Sequence, residues 1–67
     1  MSTVSDEKAI ELVRRNLLDR AKKLRAEAGD EGSPEKYDEA AEIYQELGRE
    51  YDAAVCRGAA EILRGAA

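Results

Sequence analysis

The stretch YDEAAEIYQEL, residues 37–47, decides how the rest of the chain is arranged. Wound at 3.6 residues per turn, it carries two adjacent apolar rows, Tyr37-Ala41-Tyr44 and Ala40-Ile43-Leu47. One such row serves one neighbouring helix. Two rows can touch a helix on either side, so this segment is expected in the middle of the fold. An acidic ridge of Glu35, Glu39, Glu42 and Glu46, with Asp38 beside it, runs along the opposite side. Like charges at i, i+4 along that ridge repel one another.

Outward from this element, punctuation residues mark the neighbours. Gly48 ends the central helix, and the next begins at Arg49 or Glu50 and runs to about Arg64. So short a connection implies that these two helices lie antiparallel. The apolar positions of the last helix are Tyr51, Ala54, Val55, Gly58, Ile62 and Leu63. A glycine inside a helix costs ~1 kcal/mol relative to alanine, so Gly58 predicts a close backbone crossing. On the amino-terminal side, Ser33 is the expected N-cap, with Pro34 at the first helical position and Glu35 in the first turn. Gly29 in Gly29-Asp30-Glu31-Gly32 is the expected left-handed C-cap of a first helix. That helix starts at Ser5 as N-cap, with Asp6 and Glu7 in its first turn.

The first helix carries one stripe, Ile10, Val13, Leu17, Ala21, Leu24 and Ala28. Leu12 and Leu18 lie outside the stripe, one beyond each edge, and Arg20 sits at its margin. Glu11-Arg15 and Asp19-Lys23 are acid-before-base pairs at i, i+4. The sequence thus predicts an all-α fold, a three-helix antiparallel bundle with helices at about 5–28, 34–47 and 49–64. It forms one domain over residues 1–67, frayed at 1–4 and 65–67.

Sixty-seven residues with six Leu, three Ile, three Val, three Tyr and no Phe or Trp supply little large apolar surface. Twelve Ala fill much of the remainder and contribute helix propensity more than buried area. One Cys and no His leave no internal disulfide and no zinc quartet as a staple. Homodimerisation is therefore the expected way to complete the core. The overhang of the long first helix and its off-stripe leucines point the same way.

Chemistry has little foothold here. Without His the commonest general base is missing. Cys56, in an Ala-rich helix, reads as a small core residue. The carboxylates are spaced along a ridge instead of converging, and Gly29–Gly32 lacks the alternating oxygen ligands of a calcium loop. No catalytic residue, cofactor or metal is expected. No stretch approaches the ~20 apolar residues of a membrane span, and residues 1–7 do not read as a signal peptide. A single free thiol suits a reducing compartment, so a cytoplasmic protein is expected.

Charge is unevenly spread. Residues 1–28 hold seven basic and five acidic residues, whereas residues 29–50 hold two basic and eight acidic. Lys8, Arg14, Arg15, Lys22 and Arg25 gather on one arc of the first helix. This asymmetry allows a basic helix beside an acidic one in the same molecule. It equally allows one of these surfaces to meet an oppositely charged partner, which speeds association more than it tightens it.

Residues 37–54, YDEAAEIYQELGREYDAA, resemble the helical hairpins of tetratricopeptide repeats and of the related NSF-attachment-protein repeats. Tyr37, Ala40 and Tyr44, the Leu47-Gly48 break, Tyr51 and Ala54 carry the likeness. No second complete repeat follows, and Leu47 stands where such repeats place an alanine. The three-helix MIT domain of microtubule-interacting and trafficking proteins is also similar, with its long first helix. That resemblance implies binding of short helical tails in a groove between helices. Residues 5–20, SDEKAIELVRRNLLDR, resemble the amino-terminal docking helices of modular polyketide synthases, through Val13-Arg14-Arg15 and the acid at Asp19. That family implies a parallel homodimer receiving the carboxy-terminal tail of the preceding synthase.

The expected function is a non-catalytic protein–protein interaction module that recruits a helical segment of a partner, as a homodimer. A polyketide synthase docking domain is one alternative. A nucleic-acid-binding bundle using the basic arc is another, opposed by the net charge of −4 and the lack of aromatics in the basic region. Leu12, Arg14, Leu18, Arg25, Glu39, Glu42 and Glu46 are the expected partner-binding residues.

Overall fold

A computed structural model describes the backbone of residues 3–65 and the side chains of residues 6–65. It contains three helices, α1 (Thr3–Glu31), α2 (Pro34–Glu46) and α3 (Glu50–Gly65). α2 packs against both of the others, while α1 and α3 meet only marginally. The central position expected for residues 37–47 is therefore observed. Ala40, Ala41 and Tyr44 are buried, and Tyr37, Ile43 and Leu47 are half-buried, so both rows are in use.

The two turns are built alike. Gly32 and Gly48 adopt left-handed φ values of 64° and 75°. The residue after each glycine donates its N–H back across the turn, Ser33 to the Ala28 carbonyl at 3.0 Å and Arg49 to the Tyr44 carbonyl at 2.8 Å. These are Schellman closures, which use carbonyls that the helix end would leave unpaired. Ser33 then serves twice, because its side chain also accepts from the Lys36 N–H as the N-cap of α2.

Several helix boundaries depart from expectation. Gly29 is helical, and the left-handed cap falls three residues later at Gly32, so α1 extends to Glu31. Its start precedes Ser5, which therefore is not the cap. Thr3, Val4 and Gly65 are helical instead of frayed, while residues 1, 2, 66 and 67 lie outside the described residues.

The core is made of small side chains. Ala21, Ala40, Ala41, Tyr44, Ala53 and Cys56 form one cluster across all three helices, with Ala28 and Ala60 also buried. Cys56 takes the small-core role expected of it. Burial raises its thiol pKa, because the thiolate would be poorly solvated there. Alanines let helix axes approach closely but remove little area from water.

The face of α3 differs from the expected one. Ala53, Cys56 and Ala60 turn inward, and Tyr51 and Ile62 are left 81% and 71% exposed. The inward row lies nearly opposite the one formed by the larger residues, since close approach to Ala40 and Ala41 admits only small side chains. A Cβ on Gly58 would meet nothing within 4 Å, so no helix crosses closely there.

On α1 the expected stripe docks only along its second half. Ala21 and Ala28 are buried and Leu17 and Leu24 half-buried, but Ile10 and Val13 are more than half exposed. Leu18, expected outside the stripe, is half-buried and packs against the core cluster. With 29 residues, α1 is about 43 Å long and overhangs its neighbours. The molecule measures 57 × 19 × 12 Å, with a radius of gyration of 14.3 Å. A compact chain of this length would have about 11 Å.

Ion pairs stitch helix to helix. Lys36 on α2 reaches Glu27 at 3.0 Å and Glu31 at 2.9 Å on α1. Arg64 on α3 reaches Asp38 on α2 at 2.5 Å. The i, i+4 pairs expected within α1, Glu11-Arg15 and Asp19-Lys23, are not among the ion pairs of the described residues.

Candidate partner-binding groove

Because α1 and α3 each pack mainly on α2, they stand as walls on either side of it. Tyr37 and Tyr44 are two turns apart on one row of α2 and form the floor between those walls. The groove has two adjoining parts that share Gly29 and Tyr37.

The first part, about 440 Å³, mixes charged side chains with Ala26, Tyr37 and Tyr44. Lys22, Arg25 and Ala26 from α1 face Arg49 and Asp52 at the start of α3. Asp52 holds two guanidinium groups, Arg25 at 3.7 Å from across the groove and Arg49 at 3.5 Å on its own side. Three cations against one carboxylate leave this end net positive. The second part, about 210 Å³, is apolar, lined by Ala28, Gly32, Ala59, Ile62 and Leu63.

Gly29 matters to this geometry. A Cβ there would lie 3.2 Å from the Tyr37 hydroxyl oxygen, a tight contact, so the glycine lets the floor tyrosine sit close under α1. Two glycines three residues apart offered two possible caps. The following Ser33-Pro34, which starts α2, favours the later one, and that spacing could have assigned Gly29 to the wall.

The expected partner-binding residues do not converge. Arg25 alone lines the groove, where it is committed to Asp52. Arg14 sits near the α2–α3 turn with Arg15 and Arg49, around Leu18 and Leu47. Leu12 is exposed on the overhang, away from both. Glu39, Glu42 and Glu46 are exposed on α2, the first two sharing a shallow depression with Leu17, Arg20 and Ile43. Arg20 lines the same depression as these two acids, and forms no ion pair among the described residues. The apolar periodicity marks Tyr37, Tyr44, Ile62 and Leu63 as packing residues, and their place in the lining follows from the gap between α1 and α3.

Outside the groove, the Lys36 clasp shifts both sides of its pairs. Hydrogen bonding and charge from Lys36 lower the Glu27 pKa, and hydrogen bonds to Glu31 and then Glu27 raise that of Lys36. Among the described residues no helix is long and apolar enough to cross a membrane. No protein-family model, curated protein or solved structure matches the chain.

Proposed function

We propose that this chain is a non-catalytic protein–protein interaction module, acting as a homodimer, that takes a helical segment of a partner protein into the groove between α1 and α3. The observation that carries the reading is the open channel over Tyr37 and Tyr44, positive at one end and apolar at the other. A half-buried aromatic such as Tyr37, flanked by aliphatic side chains, is a typical anchor for an amphipathic helix laid in a groove, with buried Tyr44 as the floor beside it. Lys22, Arg25 and Arg49 favour acidic residues at one end of that segment, and Ile62 and Leu63 favour leucine-like residues at the other. The basic side chains of α1 give less support to a nucleic-acid partner. Glu7 and Glu11 dilute that arc, and the whole chain carries a net charge of −4.

The test is a titration with a helical peptide of about three turns, leucines on one face of its first half and glutamates along its second. Binding is expected, weakened about tenfold or more by Ile62→Asp and by Lys22→Glu. Both residues are exposed, so melting temperatures should hold. A peptide that fails to bind, or binds both variants as well as the parent, overturns the groove.

A further inference from the structure

Before Leu17 the apolar side of α1 is uncovered, although the α2–α3 turn still reaches the level of Arg14 and Arg15. Ile10 and Val13 are 58% and 57% exposed, although they continue the line that docks at Ala21 and Ala28. At 100° per residue, Ile10, Val13 and Leu17 fall on one stripe, and Asp6 continues it at the amino-terminal end, where a carboxylate replaces an apolar side chain. Glu7 and Arg14 lie along one flank of it, and Ala9 and Asn16 along the other.

We propose that this stripe is the surface through which the chain pairs with a second copy of itself, two α1 segments lying antiparallel about a two-fold axis near Glu11. Charge complementarity decides both the occupant and the orientation. In an antiparallel pair each flank faces the same flank of the other copy. Glu7 of each copy then meets Arg14 of the other, and the two-fold axis makes the pair twice. In a parallel pair that flank would face Ala9 and Asn16, and neither charge would find a partner. The uncharged flank brings no repulsion when it meets itself, and Ala9 permits close approach there.

The seam from Glu7 to Leu17 covers about three turns and holds three apolar residues from each copy, so association is weak, well short of an obligate dimer. The α1 wall of the groove begins at Lys22, more than a turn beyond Leu17. Pairing therefore leaves both grooves open, one at each end of the dimer. The inference specifies the homodimer named above and does not depend on what the groove binds.

Sedimentation of the full chain across a dilution series tests it, with circular dichroism to confirm that each variant keeps its helix content. A monomer–dimer equilibrium is expected. Glu7→Arg or Arg14→Glu alone should weaken it about tenfold or more, because each places like charges together twice, and the double reversal should restore it. Tyr51→Glu, on the outward side of α3, should leave it unchanged. A monomer at every concentration overturns both the seam and the homodimer. A dimer indifferent to the single reversals, not rescued by the double one, or dissociated by Tyr51→Glu overturns the seam while keeping a dimer.

Discussion

Glycine does three different things in this chain, and alanine substitution separates them. Gly32 and Gly48 hold left-handed backbone that a Cβ disfavours by about 1–2 kcal/mol. Gly29 is helical and makes room for the Tyr37 hydroxyl. Gly58 is helical with open space where a Cβ would stand. Gly58→Ala should therefore stabilise by up to ~1 kcal/mol, the helix-propensity difference. Gly48→Ala should destabilise by a similar amount or more. Opposite shifts in thermal melts are the expected result. A Gly58→Ala variant that melts lower than the parent would mean the position is packed after all.

At the level of elements, α2 was legible in the sequence and the inward face of α3 was not. The two rows of α2 contain tyrosines and an isoleucine at helical spacing, so their period stands out. Ala53, Cys56 and Ala60 have the same spacing, but small residues do not announce a core when apolar positions are ranked by size. Close packing against Ala40 and Ala41 selected them. The groove was hidden for the same reason, since its walls exist only because α1 and α3 both lean on alanines of α2. The contacts between elements also set a pH dependence. Glu27 has a lowered pKa, so its contribution is present above the unfolded carboxylate value and is lost as pH falls through the folded one. Lys36 has a raised pKa, so its contribution is present below the unfolded amine value and is lost as pH rises through the folded one. The clasp is thus complete at neutral pH and fails in acid and in strong alkali. Lys36→Met should flatten part of the acid limb of stability against pH, a small effect for exposed groups and one that salt reduces. Parent and variant curves that run parallel from neutral pH into acid would show that the clasp contributes nothing.

For the molecule as a whole, small side chains dominate the fully buried positions, and several large ones are left in water. Among the described residues the buried positions are six alanines, Tyr44 and Cys56, while Ile10, Leu12, Val13, Tyr51 and Ile62 are more than half exposed. Since apolar stabilisation follows area at about 25 cal/mol per Å², the outward side chains represent more potential stabilisation than the alanine interior supplies. A chain so arranged is expected to be marginal alone and to gain stability from whatever covers it. Association of α1 makes this measurable. The melting temperature should rise with protein concentration, since dimer formation draws on the folded state only. Val13→Asp should abolish that rise, because it puts a charge in the middle of the seam. In the dilute limit the same variant should melt with the parent, because Val13 is already in water in the single chain. A variant that melts lower even when dilute would place Val13 in the monomer's own core. A parent whose melting temperature ignores concentration would leave the overhang of α1 without a second copy to cover it.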